Sequence, residues 1–308
     1  MKNLIYLLLF AFLQITISSC GKTENTSSTS SVTAEKADLT HLPYGGISPT
    51  KILIRNQGAT MPALLSLWLC GLPANGAGNS NSKDWQNADG TWDYTRKPQV
   101  EGNVSWTSQF NIAISGETRL ITGNGLPNHP TGIFPISRST TAGKYDGNPN
   151  IISPQTMSYS LPVNPPVNAA PTCVNFGPSG VSLTGCAIYH GASTLGNDAA
   201  AHEMFDRFGG HTDGTERYHY HFPSQDLQDQ VEKYKGGHSP LMGYMLDGFG
   251  IYGPYGDDGK IIWSKDLDEC HGHTHPVLWD GKMVNMYHYH WTYDFPYNIG
   301  CFKGTPKY

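Results

Sequence analysis

The chain has 308 residues, of which 38% are hydrophobic and 15% charged, enough apolar content for one substantial core and too much for a disordered polymer. Its 20 basic and 25 acidic residues give a formal net charge of -5, with no Lys/Arg run interleaved with aromatics. That balance argues against nucleic acid as a partner.

The start, MKNLIYLLLFAFLQITISSCGK, has a basic residue at Lys2 and an apolar stretch from Leu4 to Ile17. It is too short for a membrane span and reads as the apolar region of a signal peptide. Ile17-Ser18-Ser19-Cys20 resembles the lipobox of bacterial lipoproteins, which implies cleavage before Cys20 and lipidation of its thiol. Residue 21 is Gly, not Asp, so retention at the inner membrane is not signalled. The expectation is a signal peptide over 1–19, a lipid anchor and flexible Ser/Thr-rich tether over 20–40, and attachment to the outer membrane facing the periplasm or exterior.

Beyond residue 50, short apolar runs alternate with Gly, Pro, Asn and Asp, the punctuation of strands and turns. Strands are expected in KILIRN (51–56), VSWTSQFNIAIS (104–115), RLITG (119–123), MSYSLPV (157–163), MGYML (242–246) and KIIW (260–263). Residues 73–97 read as a long Gly/Asn-rich excursion. One segment, Asn197 through the double glycine at 209–210, has a capping residue, helix formers and a stop, and is expected to be a short helix. The fold class is therefore mainly β, a sandwich or barrel-like single domain with one short helix and long Gly/Pro-rich loops.

Ten of the 13 histidines fall between His202 and His290. Tyr218-His219-Tyr220-His221 and Tyr287-His288-Tyr289-His290 would each place two imidazoles on one face of a strand and two phenols on the other. Each copy follows a histidine-bearing arm and an Asp-Gly turn: His211 then Asp213-Gly214, and His273 and His275 then Asp280-Gly281. Imidazoles on one strand face are a metal half-site. The expected ligands are His219, His221, His288 and His290, converging on one shared site with His211, His273 and His275 in reserve. A metal-free Tyr/His hydrogen-bond network is the alternative. Zinc is the expected ion and copper the second, since no Met cluster or Cys-x-x-Cys suggests a thiolate or Cu(I) site. Asp247 and Glu269 are the carboxylates expected to orient an imidazole, ligate or act as base. His129 and His190 are expected to make loop hydrogen bonds.

With Cys20 lipidated, five cysteines remain. Cys270 with Cys301 would bracket the second Tyr-His repeat, Cys173 with Cys186 would close a short loop, and Cys70 is expected to be a buried thiol.

GLPNHPTGIFP, the GND-to-GGH segment, RYHYH, SPLMGYMLDGFGIYGPYG, LDECHGHTHP and YHYHWTYDFPYNIGCFKG together resemble the YHYH family of secreted and lipid-anchored proteins, which is named for its motif rather than for an activity. The resemblance implies a single extracytoplasmic domain over 101–308, preceded over 41–100 by N-terminal strands and the Gly/Asn-rich excursion. Asn128-His129, Asn197-Asp198, Glu203, Asp206, Gly210-His211, Asp247-Gly248, Asp268-Glu269-Cys270 and both repeats match its pattern. Phe208 stands where the pattern has a cysteine, implying an absent disulfide. His190-Gly191 stands where similar proteins have Asn-Pro, a departure that argues against a shared role for His190.

The resulting functional expectation is a lipid-anchored, extracytoplasmic metal-binding protein, with metal-dependent hydrolysis as a possible extension. No His-Glu-x-x-His pattern supports that extension. The alternatives are a metal-free structural or ligand-binding envelope module and a periplasmic metal storage or delivery protein.

Overall fold

Strand-forming runs dominate the computed structural model of the protein, which describes residues 34–45, 54–55, 63–71, 82, 84–231 and 236–308. The expected signal segment, the expected lipobox and most of the strand expected at 51–56 lie outside these residues. The described residues cluster as one compact unit. Among the described residues, no helix is long and apolar enough to cross a membrane.

A short parallel pair joins β1 (Ile54–Arg55) to β2 (Leu67–Trp68). The alternating runs at 110–123 and 157–162 build a three-stranded antiparallel sheet of β3 (Phe110–Ser115), β4 (Thr118–Gly123) and β5 (Met157–Pro162). The third sheet has eight strands arranged as two equivalent halves.

In the first half, β6 (Pro178–Ser182) pairs antiparallel with β7 (Ala187–Tyr189), β7 pairs parallel with β9 (Tyr218–Tyr220), and β8 (Gly210–Thr212) lies antiparallel to β9 at the edge. The second half repeats the scheme with β10 (Leu241–Met245), β11 (Gly250–Tyr252), β13 (Lys282–His290) and, at the opposite edge, β12 (Gly272–Trp279). β6 and β10 meet antiparallel, with Val181 opposite Tyr244, Gly180 opposite Met245 and Ser182 opposite Gly243. That register is unchanged when the halves are exchanged, so a local two-fold runs through the Val181–Tyr244 pair. The turns correspond as well: Gly185 and Gly248 sit at φ +95 and +96, a left-handed conformation that glycine adopts without a Cβ penalty. The sheet ends at β8 and β12 and does not close into a barrel.

Side chains opposite one another across a ladder share a face. Ile188 and Ile251 therefore share a face with Tyr220 and Tyr289, and all four lie in the main core. On the other face, Val181, Tyr244 and Trp279 pack against Ile121, Met157 and Leu161 of the three-stranded sheet. This is a sandwich-like arrangement. That second face also carries the histidines of both repeats, to either side of the covering sheet.

The expected helix after Asn197 is a single turn, α2 (Ala199–His202), capped by Asp198, which accepts from the Ala201 N–H. The chain is extended again at Glu203 because Asp206 Oδ1 accepts the N–H groups of Phe208 (2.9 Å) and Gly210 (3.3 Å), an alternative to helix that short acidic side chains offer. Two further helices, α1 (Thr141–Tyr145) and α3 (Gln225–Val231), were not expected. The strand expected at 260–263 is reduced to a bridge between Tyr255 and Ile261 ahead of a 3-10 turn at Ser264–Asp266.

Candidate metal centres

The repeated pattern places histidine beside histidine twice. His211 lies opposite His219 across β8 and β9, and His273 lies opposite His288 across β12 and β13. His221 and His290 follow two residues on, on the same faces. The glycine before each arm histidine is required, because a Cβ at Gly210 would collide with the Tyr218 ring and one at Gly272 with the Tyr287 ring. Each repeat is fastened from the tyrosine side. Tyr218 donates to Asp206 Oδ2 (2.8 Å) and Tyr287 to Asp268 Oδ1 (2.9 Å), while each aspartate also accepts the backbone N–H groups of its own arm. In this comparison Phe208 occupies the place of Cys270.

The expected single shared site is not formed. β9 and β13 are separated by β7, β6, β10 and β11, five strand spacings or about 24 Å. The repeats therefore build two centres, His211/His219/His221 and His238/His273/His288/His290, each with its donor atoms within 4.8 Å of one another.

Protonation decides what these clusters can do. His219 and His221 each direct Nδ1 at a backbone carbonyl, of Arg217 and His190. In the second centre, His288, His290 and His238 direct Nδ1 at the carbonyls of Met286 (3.1 Å), Gly253 (2.7 Å) and Ser239 (2.7 Å). A carbonyl only accepts, so each of these Nδ1 atoms carries the proton. The rings are also neutral. Burial is the largest cause, holding His219 near 4 and His288 near 3 and keeping His221 and His290 well below the ordinary 6.5, with neighbouring imidazoles adding to the depression for His221, His288 and His290. A neutral ring protonated at Nδ1 has a bare lone pair at Nε2.

Two pairs of those lone pairs face one another, His219 Nε2 and His221 Nε2 at 3.1 Å and His288 Nε2 and His290 Nε2 at 3.1 Å. His273, whose Nδ1 is not directed at a carbonyl, places its Nε2 3.0 and 3.2 Å from the second pair. Imidazole nitrogens on a tetrahedral zinc at about 2.0–2.1 Å would stand about 3.3–3.4 Å apart, close to the separations within these pairs. Both nitrogens of His211, His238 Nε2 and Glu203 Oε2 are buried without a hydrogen-bond partner, a cost the fold carries unless a ligand meets them.

Glu203 Oε2 lies 3.5 Å from both His211 Nε2 and His221 Nε2. Burial, with Asp146 nearby, raises its carboxyl well above the usual range. The pocket in front of the first centre has a volume of about 490 Å³ and is lined by all three histidines and Glu203.

The expected catalytic carboxylates lie elsewhere. Asp247 is buried on the tyrosine face, where Tyr289 Oη donates to it at 2.6 Å and the Gly304 N–H at 2.9 Å. Glu269 faces solvent, 3.6 Å from Lys303 Nζ. His275 stands outside the donor group, with Nε2 2.8 Å from Asp257. His129 hydrogen-bonds the Pro130 carbonyl and Tyr220 as a loop histidine would, whereas His190 Nε2 is buried and unpartnered. Cys270–Cys301 forms as expected. Cys173 instead pairs with Cys70, and Cys186 is a free buried thiol. The Leu69–Val174 bridge draws Cys70 and Cys173 to a Cα separation of 5.0 Å, within disulfide reach.

The duplicated His-bearing strands, seen in place, agree with the comparison to known families. Residues 158–262 match the family model described as YHYH protein. The YHYH match runs from β5 past β11, so it contains the whole first centre and His238 but ends before the second repeat. No curated protein and no solved structure matches the chain. Within the YHYH segment, His238 is not marked by the sequence pattern, because a lone histidine in a Gly-Gly-His-Ser-Pro loop carries no spacing signal. Glu203 matches the family pattern, but no role is readable from its neighbours in sequence.

Proposed function

We propose that the protein is a lipid-anchored, extracytoplasmic metal-binding protein that holds two ions in separate histidine centres, zinc being the first choice and copper the second. The observation that carries the reading is the facing of Nε2 lone pairs at 3.1 Å in both the His219–His221 and the His288–His290 pair. A metal-free hydrogen-bond network needs a proton between each such pair, and for His219, His221, His288 and His290 that proton is committed to a carbonyl on the far side of the ring. A cation satisfies the lone pairs together. The anchoring rests on the signal segment and Cys20.

Metal-dependent hydrolysis is a second reading, favoured by one observation: Glu203 stands beside the three-histidine centre, at the edge of a pocket. In that layout Glu203, and neither Asp247 nor Glu269, is the carboxylate able to take a proton from water on the ion.

Elemental analysis of the full chain, purified in detergent without a histidine tag, tests the main reading. Two transition-metal equivalents per chain are expected. Less than about a tenth of an equivalent, with no stabilisation on adding zinc or copper, would exclude it. Cys20→Ser should release the protein from the membrane fraction.

A further inference from the structure

Because the two halves share one pairing scheme, residues around one centre have counterparts at the other. Gly180 and Gly243 occupy equivalent places at the central β6–β10 ladder. Counting back from them, His238 ahead of β10 corresponds to Asn175 ahead of β6, whose side chain hydrogen-bonds Tyr308, with Phe176 next to it. His238 brings the second centre to four imidazoles. Phe176 has no donor. It sets its ring edge-on to His190 at 4.9 Å and lines the pocket.

The reverse asymmetry appears on the crossovers. Glu203 precedes Asp206 by three residues, and its counterpart ahead of Asp268 is Lys265, which is exposed. Four imidazoles complete a tetrahedral ion, whereas three leave one position free. That free position faces the pocket. Phe176, Pro178 and Tyr189 wall it on the apolar side and Arg217 adds a positive charge, while Asp213 is held by the Tyr189 hydroxyl at 2.6 Å.

We infer that only the first centre takes a second ligand on its ion, and that this ligand is a small molecule bearing an anionic oxygen beside an N–H or O–H group, on a compact apolar or aromatic body. The inference rests on the metal reading above. The anionic oxygen meets the ion with Arg217 nearby, the N–H or O–H donates to the unpartnered Glu203 Oε2, and the body lies against Phe176, Pro178 and Tyr189. At the second centre His238 would take the position that this ligand fills at the first.

The test is to load the full chain in detergent with Co²⁺, a visible stand-in for zinc, and titrate it with acetohydroxamate and benzohydroxamate. The absorption of one of two cobalt equivalents should shift, with benzohydroxamate binding at least about tenfold tighter because its ring is buried. The shift should disappear in His219→Ala and persist in His288→Ala. His238→Ala, which opens the second centre, should make that centre respond as well. Two bound cobalt ions of which neither or both respond in the unmodified protein, or a response that survives His219→Ala, would overturn the inference. Equal affinity for the two hydroxamates would overturn the apolar body. Failure to take up cobalt at all would instead overturn the metal reading itself.

Discussion

His219 and His221 place their Nε2 atoms 3.1 Å apart while each directs Nδ1 at a backbone carbonyl. The same relationship joins His288 and His290 in the other half of the sheet. A pair of acceptors held together without a proton stores electrostatic repulsion that a cation relieves, and the duplicated sheet does this twice.

Two separate centres make a distinct prediction from one shared site. His219→Ala with His221→Ala should remove about one metal equivalent, and His288→Ala with His290→Ala the other. Measured by elemental analysis, loss of all metal in either double variant would contradict the two-centre arrangement. At ion concentrations near a hundred times Kd, each occupied centre should add about 2.7 kcal/mol to stability.

The metal-free protein should lose stability as pH falls below the ordinary histidine value of 6.5. The folded chain holds His219 near 4 and His288 near 3, chiefly by burial, so the unfolded chain takes up protons first. Stability from these rings is fully present above pH 6.5 and is lost as pH falls through the folded values. Burial raises Asp198, Asp206 and Asp247 to about 6, and these act in the opposite sense between pH 6 and their unfolded range. The depressed histidines are more numerous and dominate. Urea midpoints measured from pH 7 to 5 should fall, and bound metal should shift the fall to lower pH.

Tyr289→Phe should cost about 2 kcal/mol in urea denaturation, since it deletes a donor to a buried carboxylate. Asp247 would keep the Gly304 and Phe249 N–H groups but lose the 2.6 Å phenolic bond. The exposed Met283→Ala, on the same strand at 67% exposure, should change stability by less than about 0.5 kcal/mol.

Removing the Cys270–Cys301 bridge by paired alanine substitution should cost about 3–4 kcal/mol from loop closure over its separation of 31 residues. Cys270 lies just ahead of the arm that presents His273, so metal at the second centre should weaken while the first is unchanged. Equal loss at both centres in a metal titration would refute this local effect.

Sequence alone determined the mainly β class, the His-on-one-face alternation of both repeats and the Asp280-Gly281 hairpin. All three follow from local rules, namely strand period and turn chemistry. Tertiary structure decided the rest. Strand order is set by long-range pairing that spacing does not encode, so it separated two repeats that looked like halves of one site. The same pairing carried Asp247 to the tyrosine face and Cys70 to Cys173. Glu203 and His238 come from a crossover and a loop, where no periodicity marks a side chain, and only packing brings them against the imidazoles.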